Sequence, residues 1–142
     1  MELAGLGASL AMNAYRTLKI QGLCLTVVGN DYDPLCGFHR ELRFIAGNNI
    51  LEVLELYLVV EDDIPCRTES EDWTAFDSVL TESDAFPMLH RVLVDISWGT
   101  EHRNMREQFV VLESLKEDKF PRLVESKAVE FKFCANILDI RW

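Results

Sequence analysis

Two short groups of carboxylates are the residues whose type and spacing could do chemistry. Asp31 and Asp33 follow the first long apolar run, and Glu61, Asp62 and Asp63 follow the second. Carboxylate oxygens are hard ligands. Acids gathered at the carboxyl ends of parallel strands are placed to hold Mg²⁺ beside a phosphoryl group. The same acids also fit a plainer role, as solvated turn residues of an acidic chain, and that reading is preferred. His39, His90 and His102 are scattered. Cys36 and His39 are near enough to act as thiol and base, but no third residue stands ready to orient them. The chain holds no HExxH, nucleophile elbow, phosphate-binding loop or GxGxxG. Cys24, Cys36, Cys66 and Cys134 form no CxxC pair, which argues against zinc. No enzymatic activity, cofactor or metal is expected.

Composition narrows the partners. Net charge is -10, from 24 acidic and 14 basic residues. Nucleic acid and anionic membrane both require a positive face, so neither is expected as a partner. A basic patch on a protein would be attracted. Hydrophobic residues make up 49% of the 142, enough for a sizeable core in one domain. Cys24 and Cys134 alternate with apolar neighbours as buried, reduced thiols do, which places the chain in the cytoplasm or nucleus. No apolar run approaches the roughly 18 residues of a membrane span. Residues 1–14 open on Glu2 without a basic n-region and read as a helical lead-in rather than a signal peptide.

The elements that must position these residues follow from periodicity. Leu3, Leu6, Leu10 and Ala14 mark a short helix, and residues 18–28 a strand closed by turn chemistry at 29–34. Phe38, Leu42 and Ile45 share one side of a helix over 38–46. Leu54, Leu56 and Leu58 alternate through a strand over 50–60. A third helix over 71–80 turns Trp73, Phe76, Val79 and Leu80 inward, and Val92, Val94 and Ile96 make a strand over 91–98. Phe109, Leu112 and Leu115 stripe a helix over 105–115, and residues 127–134 alternate as a last strand.

A repeat sets the beat. Residues 84–89, Asp-Ala-Phe-Pro-Met-Leu, return as 118–123, Asp-Lys-Phe-Pro-Arg-Leu, an offset of 34 (118 minus 84). Strands alternating with helices imply parallel strands joined by crossovers. Residues 51–56 and 89–94 both fit the LxxLxL spacing, with valines replacing leucines in the second. Leu54, Val92 and Val129 then occupy equivalent places, 38 and 37 residues apart (92 minus 54, 129 minus 92). The expected fold is therefore α/β: a short leucine-rich-repeat-like solenoid of parallel strands alternating with helices. The alternative is a small open doubly wound sheet. Residues 1–142 read as a single repeat domain, a fragment of a longer array.

Trp73, Phe76, Asp77, Leu80, Phe86, Pro87, Leu89, Val92 and Val94 carry a resemblance. This pattern resembles the C-terminal leucine-rich-repeat-like region of F-box-like proteins of mushroom-forming fungi, over residues 70–136. The resemblance implies the target-recognition part of an F-box-like ubiquitin-ligase receptor, with protein partners. Residues 1–20 contain no Leu-Pro-x-Glu-Leu run, so the adaptor-binding F-box is absent from this chain. Asp31-Tyr32-Asp33 also resembles the DxD of haloacid-dehalogenase-type phosphohydrolases, which implies a nucleophile at Asp31 and a general acid at Asp33. Pro34 and Leu35 depart from that pattern. A Mg²⁺-dependent phosphohydrolase is therefore the second functional expectation.

In a solenoid the strand residues between the inward apolar ones line an exposed docking face. Glu55, Tyr57, Leu93, Asp95, Glu130 and Lys132 are the expected partner-binding residues. Trp98, next to Gly99 at a strand end, joins them as a rim anchor.

Overall fold

The computed structural model describes residues 6–12, 15–25, 38–61, 71–100 and 105–139. The elements run α1 (Leu6–Met12), β1 (Thr17–Leu25), α2 (Phe38–Ile45), β2 (Val53–Glu61), α3 (Glu71–Thr81), β3 (Arg91–Thr100), α4 (Met105–Lys119), α5 (Pro121–Glu125) and β4 (Glu130–Asp139). The four strands form one parallel sheet in the order β1-β2-β3-β4. Spatial order follows sequence order. The reversal of strand order that creates a switch-point crevice in doubly wound sheets does not occur among these strands.

The register is continuous and nearly periodic. Thr17 pairs with Val53, Val53 with Arg91 and Arg91 with Glu130, so successive strands begin 36, 38 and 39 residues apart (53 minus 17, 91 minus 53, 130 minus 91). Val92 lies opposite Phe131, which corrects the expected equivalence of Val92 and Val129. The shift is two residues. Side chains alternate with period two, so the face is unchanged even though the partner differs.

Alternation decides what is buried. Leu54, Leu56 and Leu58 on β2, and Val92, Val94 and Ile96 on β3, join one core with Phe38, Leu42, Ile45, Trp73, Phe76, Val79 and Leu80 from the helices. Leu18, Ile20, Phe131, Phe133, Ala135 and Ile137, the same phase on the outer strands, pack against it. Helices thus cover one face of the sheet, as crossovers of a single hand between sequential neighbours require. Phe76 stacks on Phe38 with centroids 5.6 Å apart and meets the edge of Phe120 at 5.9 Å, tying three successive units together.

The repeated Phe-Pro segment keeps its packing and changes its backbone. Phe86 and Leu89 are buried, as are Phe120 and Leu123. Residues 84–89 are a run of turns, with Asp84 at φ 61°. Residues 121–125 form the short helix α5, where Pro121 sits at a position that suits its missing N–H. Each copy is held by the unit before it. The carbonyl of Ala85 accepts from the Gly47 amide and the Asn49 side chain, both at 2.8 Å. Gly47 has φ 78°, a conformation glycine adopts without strain. The amides of Arg122 and Leu123 donate to the Asp77 carboxylate at 3.1 and 2.8 Å. Phe120, the N-cap residue of α5, offers no side-chain acceptor, so Asp77 fills that role from α3. Burial pushes the Asp77 carboxyl above its ordinary value, opposed by those two amides and by the nearby Arg122 charge.

Two expected features differ. Phe109 is 39% exposed instead of lying on an inner stripe of α4, although Leu115 is buried as expected. β4 is the edge strand among the described residues, and no following unit packs against α4 beyond it. No helix among the described residues is long and apolar enough to cross a membrane.

Candidate functional site

With one face under the helices, the candidate site is the other. The register sets it out in rows across the strands. Thr17, Val53, Arg91 and Glu130 form the first row. Lys19, Glu55, Leu93 and Lys132 form the second, and Gln21, Tyr57, Asp95 and Cys134 the third. Val59, Ser97 and Asn136 continue in the fourth. Six of the seven residues expected from sequence, Glu55, Tyr57, Leu93, Asp95, Glu130 and Lys132, therefore share this face. Trp98 is in the register row of Val60 and Ile137, out of phase with Asp95.

Tyr57 is the centre of the face. Its hydroxyl donates to the Glu55 carboxylate at 3.3 Å, and the Lys19 ammonium lies 4.9 Å from its ring centroid. The ring is held between a cation and an anion, which fixes an aromatic side chain without burying it. Partial desolvation raises the Tyr57 hydroxyl above its ordinary value, and the charge and hydrogen bond of Glu55 and the charge of Asp95 add to it, while Arg91 opposes. Asn136 donates to Asp95 at 3.4 Å. Leu93 is only 7% exposed, although it stands apart from the main core. The side chains around it cover it, so it supports the face and does not project as an anchor.

Charge on the face is balanced. The first three rows hold Lys19, Arg91 and Lys132 against Glu55, Asp95 and Glu130, in a chain of net charge -10. Opposite charges interleaved on one sheet face recognise a surface of matching pattern and disfavour mismatched ones. Sequence reasoning missed Lys19, Arg91 and Asn136. The alternation of Lys19 with Leu18 and Ile20 was the available signal for the first of them.

The other candidate groups fall elsewhere. Asp31, Asp33, Asp62 and Asp63 lie outside the described residues, as do Cys36, Cys66 and His102, and Glu61 ends β2. No group of three His, Cys, Asp or Glu that could hold a metal ion occurs among the described residues. Cys134 is a free thiol, half-buried on the open face rather than in the core. A shallow cleft of about 420 Å³ opens between α4 and β4, lined by Arg106, Phe109, Asn136 and Ile137. Comparison with known proteins found no match among family models, curated proteins or solved structures.

Proposed function

We propose that this chain is a protein-interaction module. Its βα units stack as a short leucine-rich-repeat-like solenoid, and the open face of the sheet docks a protein partner. One observation carries this reading: the helices cover a single face and leave the other open, charge-balanced and centred on a held tyrosine. The near-constant spacing of 36, 38 and 39 residues between paired strands supports the solenoid description. The resemblance of residues 70–136 to fungal F-box-like proteins gives the interaction its purpose. The module selects the target of a ubiquitin ligase, working in the cytoplasm or nucleus.

The test is quantitative affinity capture from native cell extract with the wild-type chain and with a Tyr57→Ala/Asp95→Ala double variant. Both side chains are on the open face, so the melting temperature stays unchanged. Proteins enriched by the wild type are expected to be lost from the variant. The same enriched set from both chains would overturn the proposal.

A further inference from the structure

Among the described residues, the core runs out to both edges of the sheet and is unfinished at each. Leu54 and Val92 are fully buried, yet Leu18 and Phe131 in the same row are only half-buried. Ile20 and Phe133 stand in the same relation to Leu56 and Val94. The backbone is likewise open. The Glu130 amide donates to His90 on the β3 side, so by strand alternation the amides of Phe131, Phe133 and Ala135 point to the free edge of β4. The Arg16 carbonyl accepts from Glu52 and Val53, so Lys19 and Gln21 point to the free edge of β1.

These two edges fit each other. At each interior junction the earlier strand offers the backbone groups of its covered-face residues, and the later strand those of its open-face residues. The free edge of β4 offers the first kind and that of β1 the second. Joining them extends the apolar rows, Phe131 to Leu18 and Phe133 to Ile20. It also completes the helix layer: α1 precedes β1, and no helix follows β4 among the described residues. In that register Glu130 meets Thr17 and Lys132 meets Lys19, so the apolar rows and the backbone edges, and not charge, drive the union. Lys19 is no guard of the β1 edge, because its ammonium is folded back over Tyr57.

We propose that copies of this chain stack head to tail, β1 of one copy pairing in parallel with the free edge of β4 of the next. The union is heterologous and leaves one head and one tail open, so the stack grows and does not close at two. It uses the sheet edges and stands independently of the open-face reading.

Sedimentation velocity over a concentration series tests this. The weight-average mass of the wild type is expected to rise continuously above the 16.3 kDa of one copy, passing twice that value without a plateau. Ala135→Pro removes an amide that points away from β3 and blocks the tail. Gln21→Pro blocks the head in the same way. Each variant alone is expected to remain a monomer, and an equimolar mixture of the two to form a dimer and stop there. Thr17→Glu, an exposed substitution that leaves the backbone intact and sets an acid opposite Glu130 in the extended register, is expected to weaken the stack and covers the case in which a proline variant fails to fold. A wild type that is monomeric throughout, a plateau at two copies, or association unchanged in all three variants would overturn the proposal.

Discussion

The carboxylate of Asp77 on α3 accepts a 2.8 Å hydrogen bond from the amide of Leu123, 46 residues further along the chain. The Arg122 amide donates to the other oxygen at 3.1 Å. One buried acid thus caps a helix in the next unit and fixes the entry to β4. Asp77→Ala leaves both amides without that acceptor, one of them buried. The expected destabilisation is roughly 1–3 kcal/mol in denaturant titration. Asp77→Asn keeps one acceptor oxygen and should fall between the two.

Asp77 also predicts a pH dependence. Burial outweighs the two amides, so its folded-state carboxyl titrates above the ordinary value of 3.8. The folded chain therefore holds this proton more tightly than the unfolded chain. Its contribution is present in full below the unfolded value and is lost as pH rises through the folded one. The stability difference between wild type and Asp77→Asn, followed by thermal melts, should shrink as pH rises from 3.8 and then level off. A difference that grows over this range would contradict the burial argument.

The aromatic stack predicts a large loss. Phe76 is fully buried between Phe38 and Phe120. Phe76→Ala removes the contact joining three units and leaves a cavity, at an expected cost of about 3–5 kcal/mol. Phe76→Leu retains most of the volume and should cost less than half as much. Urea unfolding of the two variants checks the ratio.

The interaction reading predicts indifference to Mg²⁺. A ligand that binds the folded state raises the melting temperature by mass action. Millimolar Mg²⁺ is expected to leave the midpoint unmoved. A rise that disappears in Asp31→Asn would put the phosphohydrolase reading in place of the docking face.

Much of the fold was legible because it depends on periodicity. The inner stripe of α3, Trp73, Phe76, Val79 and Leu80, is buried as its spacing requires, and the alternation through residues 54–58 and 92–96 set the covered face. The register of β4 was not legible. A two-residue slip leaves every side chain on the same face, so the pattern alone cannot choose between Val129 and Phe131 as the partner of Val92. Phe109 misled because a helical stripe says which residues face together and nothing about how closely they pack on the strand beneath: Phe109 lines a shallow cleft with Ile137 of β4. The Asp77 cap joins residues 45 and 46 positions apart through backbone amides, which leave no mark on the sequence. On the open face, the alternation named Glu55, Tyr57 and Asp95. It could not show that Lys19 crosses from β1 to cover Tyr57, since that depends on which strands are neighbours.

The most direct test of the docking face is site-specific photo-crosslinking in native cell extract. A photoreactive residue replaces Lys132 on the open face in one chain and Arg40, exposed on α2, in another. The account predicts discrete protein adducts from position 132 and none from position 40. Adducts from position 40 alone would place the partner on the helices and contradict it.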